Sequence, residues 1–287
     1  MKPLQYVGKD EPLSTAQGLY LSTYAVKVAQ RTFIGRKLIM PEYIDPKAQT
    51  YQYSTITGMS AARIDPKYPG KEVLDIISES PTPVNIPCTH HEFQIPKADL
   101  DSSQMTGIPL NTKYSDEATY QVGLKEDTLI INGDGTIPGL YTGAGTTEAG
   151  ADWTTTTNIP ITLKAAIVKL VAKHIYGPYN LIDNPTQDIE LDEFVANTAV
   201  PWRDRVLARI GGKIFSTETL TAGTAILMKA PMGPTDFTNY SHVIAEDIKV
   251  ETMMEDIRAG SGMFGRSFTR GLPVIKVSDA ICTLTSI

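Results

Sequence analysis

The stretch HIYGPYNLIDNPTQDIELDEF, His174–Phe194, holds three changes of pattern. A helical periodicity stops at Gly177-Pro178, and the apolar run Tyr179 to Ile182 reads as a short strand. A loop follows in which Asp183, Asp188, Glu190, Asp192 and Glu193 stand close together. Carboxylates gathered this way fit an active site, a metal site, a solvated turn, or the rim of an assembly of many copies. In the last case symmetry repeats the loop around a pore, and a ring of like charge selects ions by sign.

Upstream, ITLKAAIVKLVAKHIYGP is the clearest amphipathic helix, with Leu163, Ala166, Ile167, Leu170, Val171 and Ile175 on one face. Before it, Asp134 to Asn158 reads as a Gly- and Thr-rich loop. Downstream, a helix runs through Trp202 to Ile210, and Gly211-Gly212 breaks it into the strand KIFST. TAILMKA is another strand, and from Ile244 onward EDIKVETMM, GRSFTRG, PVIKV and ICTLTSI are strand-like. Helices and strands are interspersed without regular alternation, which predicts an α+β fold rather than a doubly wound sheet.

The N-terminal third differs. Ser14 and Gln17 form a capping box, Leu21, Tyr24, Ala25 and Val28 recur at helical spacing, and Gly35 ends the element. The repeated Asp-Pro of YIDPK (Tyr43–Lys47) and RIDPK (Arg63–Lys67) brackets a β-type stretch that Gly58 turns. This arm has little apolar content. A lone two-stranded hairpin is marginal in water, so the arm is expected to lie on another subunit. PVNIPCTHHEFQIP follows as a strand limited by its prolines. Ser115 opens a long helix with Asp116 and Glu117 in its first turn, where the dipole favours negative charge, and Gly133 stands at its C-terminal cap.

The chain has 287 residues, 41% of them hydrophobic and 20% charged, which places it among globular proteins with ample core. A net charge of -6 argues against a strongly basic nucleic-acid surface. Two cysteines, Cys88 and Cys282, make no disulfide framework and fit a reducing compartment. No run has signal-peptide character or the length of a membrane span, so a soluble, cytoplasmic protein with no membrane partner is expected.

The motifs that carry chemistry are weak. Gly260, Gly262 and Gly265 match G-x-G-x-x-G, but a β-like run with Pro273 follows where a dinucleotide site needs a helix. CTHHE, Cys88–Glu92, lacks a second ligand pair, and strand alternation sends His90 and His91 to opposite faces. His174, at a helix C-terminus, interacts with the dipole without any catalytic role. No base and nucleophile are paired, so neither catalytic residues, a metal nor a cofactor is expected.

Several stretches, in order, resemble one family: PLSTAQ, IGRKLI, EDTLIINGD, IPGL, GPYNLI, LARIGGKIF and the β-rich tail. The chain resembles the encapsulins, shell proteins of prokaryotic nanocompartments with the Hong Kong 97-type capsid fold of tailed phages. The resemblance implies an N-terminal helix or arm at 1–40 and an extended loop at 41–80. It implies a peripheral domain at 81–135 and 237–287, with the long helix as its spine, and an axial domain at 136–236. It places Asp183, Asn184, Asp188 and Glu190 near a fivefold pore. It also implies that Leu21, Ala25 and Ala29, on the first helix, bind a cargo enzyme's C-terminal targeting peptide inside the shell.

The function implied is self-assembly of a non-enzymatic icosahedral shell, roughly 60 or more copies, around a cargo enzyme. The first rival is a viral or proviral major capsid protein, found in a virion and packaging DNA. The second is an enzyme that works with Asp183, Asp188 or Glu190.

Overall fold

We describe the protein from a computed structural model that covers residues 33–56, 76–98, 113–196, 198–233, 235–253 and 262–287. In chain order, a helical turn α1 (Gly35–Leu38) leads to β1 (Pro41–Tyr43), β2 (Thr50–Ile56), β3 (Glu79–Asn85) and β4 (Cys88–Ile95). The long helix α2 (Lys113–Ile131) follows, then β5 (Thr146–Ala149), α3 (Asn158–Ala172), β6 (Tyr179–Asp183), α4 (Pro185–Leu191) and α5 (Trp202–Ile210). After these come β7 (Gly211–Ser216), β8 (Thr224–Lys229), β9 (Tyr240–Met253), β10 (Met263–Ile275) and β11 (Ile281–Thr285). The capping box at Ser14, the cargo-helix residues Leu21, Ala25 and Ala29, and the turn at Gly58 lie outside the described residues.

Two mixed sheets carry the fold. One is ordered β1-β9-β10-β4 and the other β5-β11-β8-β6-β7. Parallel pairs (β1 with β9, β5 with β11, β6 with β7) sit beside antiparallel ones, as an α+β chain without βαβ alternation should show. Residues EDIKVETM belong to β9, whereas GRSFTRG and PVI form one strand, β10, interrupted by irregular register near Arg270.

Helix α2 packs on the four-stranded sheet, and its end joins that sheet to the other. Ala118 packs with Phe93, Ile95 and Met263. Ile130 and Ile131, both fully buried, enter a cluster with Ile182, Ile226, Met228 and Ile281 of the five-stranded sheet. The buried Thr119 hydroxyl is satisfied within the helix and across to β10. Thr119 Oγ1 donates to the Ser115 carbonyl at 2.7 Å and stands 3.1 Å from the Ser267 hydroxyl. The helix starts two residues before Ser115 and ends as the capping glycine indicates: Gly133 has φ +77° and its N–H returns to Leu129. The next turn folds so tightly that a Cβ on Gly139 would come within 2.2 Å of the Gly133 nitrogen, which explains IPGL directly after the helix.

On the five-stranded sheet, α3 and α5 cover one core with Trp153, Leu163, Leu170, Leu181, Val206 and Ile210. β6 lies between β8 and β7 and is buried at every position, so its reading as a strand needed no alternation. α5 has the bounds read from the sequence, and the left-handed Gly211, φ 68°, caps it. The region 134–158 is not all loop, because Thr146–Ala149 adds an edge strand to β11.

Gly35 opens α1, where any Cβ would come within 2.9 Å of Asp127 and Ile130, and the helix it was expected to end lies outside the described residues. Two expectations change. The arm is not closed within residues 50–62, because β2 pairs with β3, Thr50 opposite Asn85 through Ile56 opposite Glu79. PVNIPCTHHEFQIP is accordingly two strands that part at Ile86-Pro87. Tyr51, Tyr53 and Val84 anchor the base of the β2–β3 ribbon on the core around Leu129, Val243 and Leu272, while Ser54, Thr55 and Ile56 are exposed. Pro81 and Pro83 deny the β3 edge two ladder donors, which blunts it against random pairing.

Candidate functional site

The acidic stretch after β6 is a structured tip rather than a loop. Asn184 caps α4 by accepting a hydrogen bond from the Thr186 N–H at 3.0 Å, and Pro185 occupies the first helical position. Asp188 lies in the first turn. Arg203 of α5 reaches across, with NH2 2.8 Å from Asp188 Oδ1 and Nε on Asp192 Oδ1. The Asp192 hydrogen bond, then Asp188, raise the guanidinium pKa against the opposing effect of burial.

Asp183 stands apart from the other carboxylates. It is fully buried at the end of β6, opposite Ala225 and Ser216, and neither carboxylate oxygen makes a well-formed hydrogen bond. Burial pushes its pKa up to about 8, Asp188 adds repulsion, and Arg203 partly offsets both. At neutral pH its carboxyl is mostly protonated, so it presents no exposed negative charge of its own. Glu190 is half-buried. Burial, then Asp152 and Glu193, push it up. Asp183 and Asp188 are thus neighbours, whereas Glu190 belongs to a separate group with Asp152 and Glu193.

Among the described residues no three His, Cys, Asp or Glu side chains cluster as a metal would need. His90 and His91 are both exposed on β4, opposite Phe268 and Ser267. The described part of the G-x-G-x-x-G motif starts β10, a strand, so the helix required by a dinucleotide is not there.

A second cluster escaped the sequence reading. Asp127 Oδ1 accepts from the Gly35 N–H at 2.6 Å and the Ile34 N–H at 3.1 Å, and Oδ2 accepts from Thr219 Oγ1 at 3.1 Å. Its neighbour Glu126 takes both arms of Arg36, whose NH1 also reaches Asp247 at 2.6 Å. Beneath them, Nε2 of the buried His242 lies 3.4 Å from Glu126 Oε1. The segment leading out of the N-terminal region is therefore clamped to α2, β9 and the β7–β8 connection. Two adjacent acids inside an apolar helical turn, EDTLII, were the available signal.

Two mixed sheets, a spine helix between them, a projecting ribbon and a helix-capped tip define a capsid-type shell subunit of the Hong Kong 97-type fold. The chain is similar to the virus-like particle protein of Pyrococcus furiosus, at 14% identity and TM-score 0.70 over 95% of this chain and 100% of that one. It is similar to the capsid protein of Myoviridae phage XM1, at 13% identity and TM-score 0.65 over 99% and 97%. For Microbacterium phage Oxtober96 the values are 12%, 0.64, 89% and 91%. No curated protein matches. A family model described as an encapsulating protein for peroxidase matches residues 7–251, and the chain belongs to that family. It is a shell protein, structural rather than catalytic, and the enzyme alternative is set aside.

Proposed function

We propose that the chain assembles with copies of itself into a closed icosahedral particle in the cytoplasm, roughly 60 or more copies, that encloses a cargo enzyme. The observation that carries this reading is the family match over residues 7–251, joined to a ribbon, β2–β3, that leaves Ile56 64% exposed in the lone protomer. No helix among the described residues is long and apolar enough to cross a membrane. Residues 41–80 act as the extended loop, 81–135 with 237–287 as the peripheral domain, and 136–236 as the axial domain. The α4 tip lies at the fivefold axis, where Asn184, Asp188 and Glu190 shape a pore rim and Asp183 supports it from behind. Leu21, Ala25 and Ala29 face the interior and receive the cargo's C-terminal targeting peptide.

Electron microscopy of the purified chain tests this reading. Hollow closed particles that retain a co-expressed cargo are expected; a stable monomer in dilute buffer overturns it. A second reading, a capsid that packages DNA, is favoured by the likeness to phage capsid proteins. Particles with a nucleic-acid absorbance ratio at 260 against 280 nm support it, and protein-like ratios oppose it.

A further inference from the structure

Helix α5 carries cations on two sides. Arg203 faces α4 and pairs with Asp188 and Asp192. Arg205 and Arg209, one turn apart, lie on the other side, where with Pro160, Leu163, Trp202 and Val206 they line a groove of about 520 Å³ between α3 and α5. Arg205 sits over the Trp202 ring at 5.7 Å, and neither Arg205 nor Arg209 has an ion pair among the described residues. Elsewhere on α3, Ile161 and Val168 are 66% and 58% exposed. A groove that combines apolar walls with two unpaired cations suits a partner surface that is apolar and acidic.

A second surface has the opposite charge. Ile189 and Phe194, 70% and 66% exposed, protrude from α4 and from the turn into α5. Beside them Asp152 and Glu193 each repel Glu190, none of the three has an ion pair among the described residues, and Glu190 Oε2 is buried with no hydrogen bond. Asp188 and Asp192 are already held by Arg203.

We propose that these two surfaces are the halves of one contact between copies of this chain. The Ile189–Phe194 edge of one copy seats in the α3–α5 groove of the next, with Glu190 and Glu193 against Arg205 and Arg209. Apolar area exposed on both sides is removed from water, and each unpaired charge set gains the other. Repeated head to tail from copy to copy, the contact closes into a ring when the rotation permits. This rests on the shell reading and adds which residues hold neighbouring axial domains together.

Charge reversal tests it. The pair Arg205→Glu with Arg209→Glu, and separately Glu190→Lys with Glu193→Lys, should each lower the yield of closed particles about tenfold or more, because like charges then face each other. Combining all four reversals restores the opposite-sign pairing and should recover particles. Circular dichroism confirms that each protomer folds, and Phe194→Ser, an exposed change, should also reduce assembly. The inference is overturned if either reversed pair assembles like the unaltered chain, or if the fourfold variant folds but stays unassembled. Failure of the shell reading looks different, since the unaltered chain itself would then form no particles.

Discussion

Arg36 grips Glu126 with both arms, Nε to Oε1 at 2.8 Å and NH2 to Oε2 at 3.1 Å, across 90 residues of chain. Glu126 is 5% exposed, so this pair holds the exit of the N-terminal region against the spine helix in a place where water does not substitute. Arg36 has two acceptors on different elements, Glu126 on α2 and Asp247 on β9. Burial opposes its charge, and those two carboxylates more than compensate.

Replacing Arg36 with Met leaves Glu126 buried without its cation. Removal of one partner from a buried pair costs about 3 kcal/mol, and a correspondingly lower denaturation midpoint in urea is expected. An Arg36→Met, Glu126→Leu double variant should recover part of the loss, because no charge then remains stranded.

Acid should weaken the protein through His242. Burial, with a further push from Arg36, holds its pKa near 4 although Glu126 and Asp247 pull the other way. The unfolded chain keeps an ordinary value near 6.5 and binds more protons between the two, so stability falls as pH drops from about 6.5 to about 4. Chemical denaturation across that window should show a slope that His242→Gln flattens.

Asp183 works in the opposite direction. Its folded pKa of about 8 exceeds the ordinary 3.8, so the folded state retains the proton longer and stability declines as pH rises from about 4 to about 8. Asp183→Asn keeps the shape and removes the charge. Its melting temperature should exceed that of the unaltered chain at pH 9, with a smaller difference at pH 5. Equal shifts at both pH values would show that the carboxyl does not titrate in this range.

Arg270 fastens the base of the ribbon. NH1 and NH2 donate to the carbonyls of Pro46 and Ala48, each at 2.7 Å. Arg270→Met should leave the circular dichroism of the protomer unchanged while the ribbon loses its fixed direction. Limited proteolysis between β1 and β4 should speed up several-fold, and closed particles should become scarcer.

Gly139→Ala should be poorly tolerated. The added Cβ would meet the backbone of Gly133 and Asn132 at the turn beyond α2. A loss of about 2 kcal/mol or more is expected, since backbone cannot move aside as a flexible side chain can.

Much of this protein is determined by short-range pattern. The 3.6-residue repeat of α3 and α5, the caps at Gly133 and Gly211, and the apolar run of β6 are local properties, and they occur near where the sequence places them. The order of the motifs along the chain pointed to the shell family, to which the match over residues 7–251 assigns the chain. Tertiary structure alone decided that Thr50–Ile56 pairs with Glu79–Asn85, that Gly35 opens a helix, and that the tip acids divide between Arg203 and an unpaired group. It alone decided that Asp183 is dry and that Arg36 meets Asp247 across 211 residues. The physical reason is range: helix periodicity and capping act over a few residues, whereas desolvation and ion pairing depend on which distant elements close over a side chain.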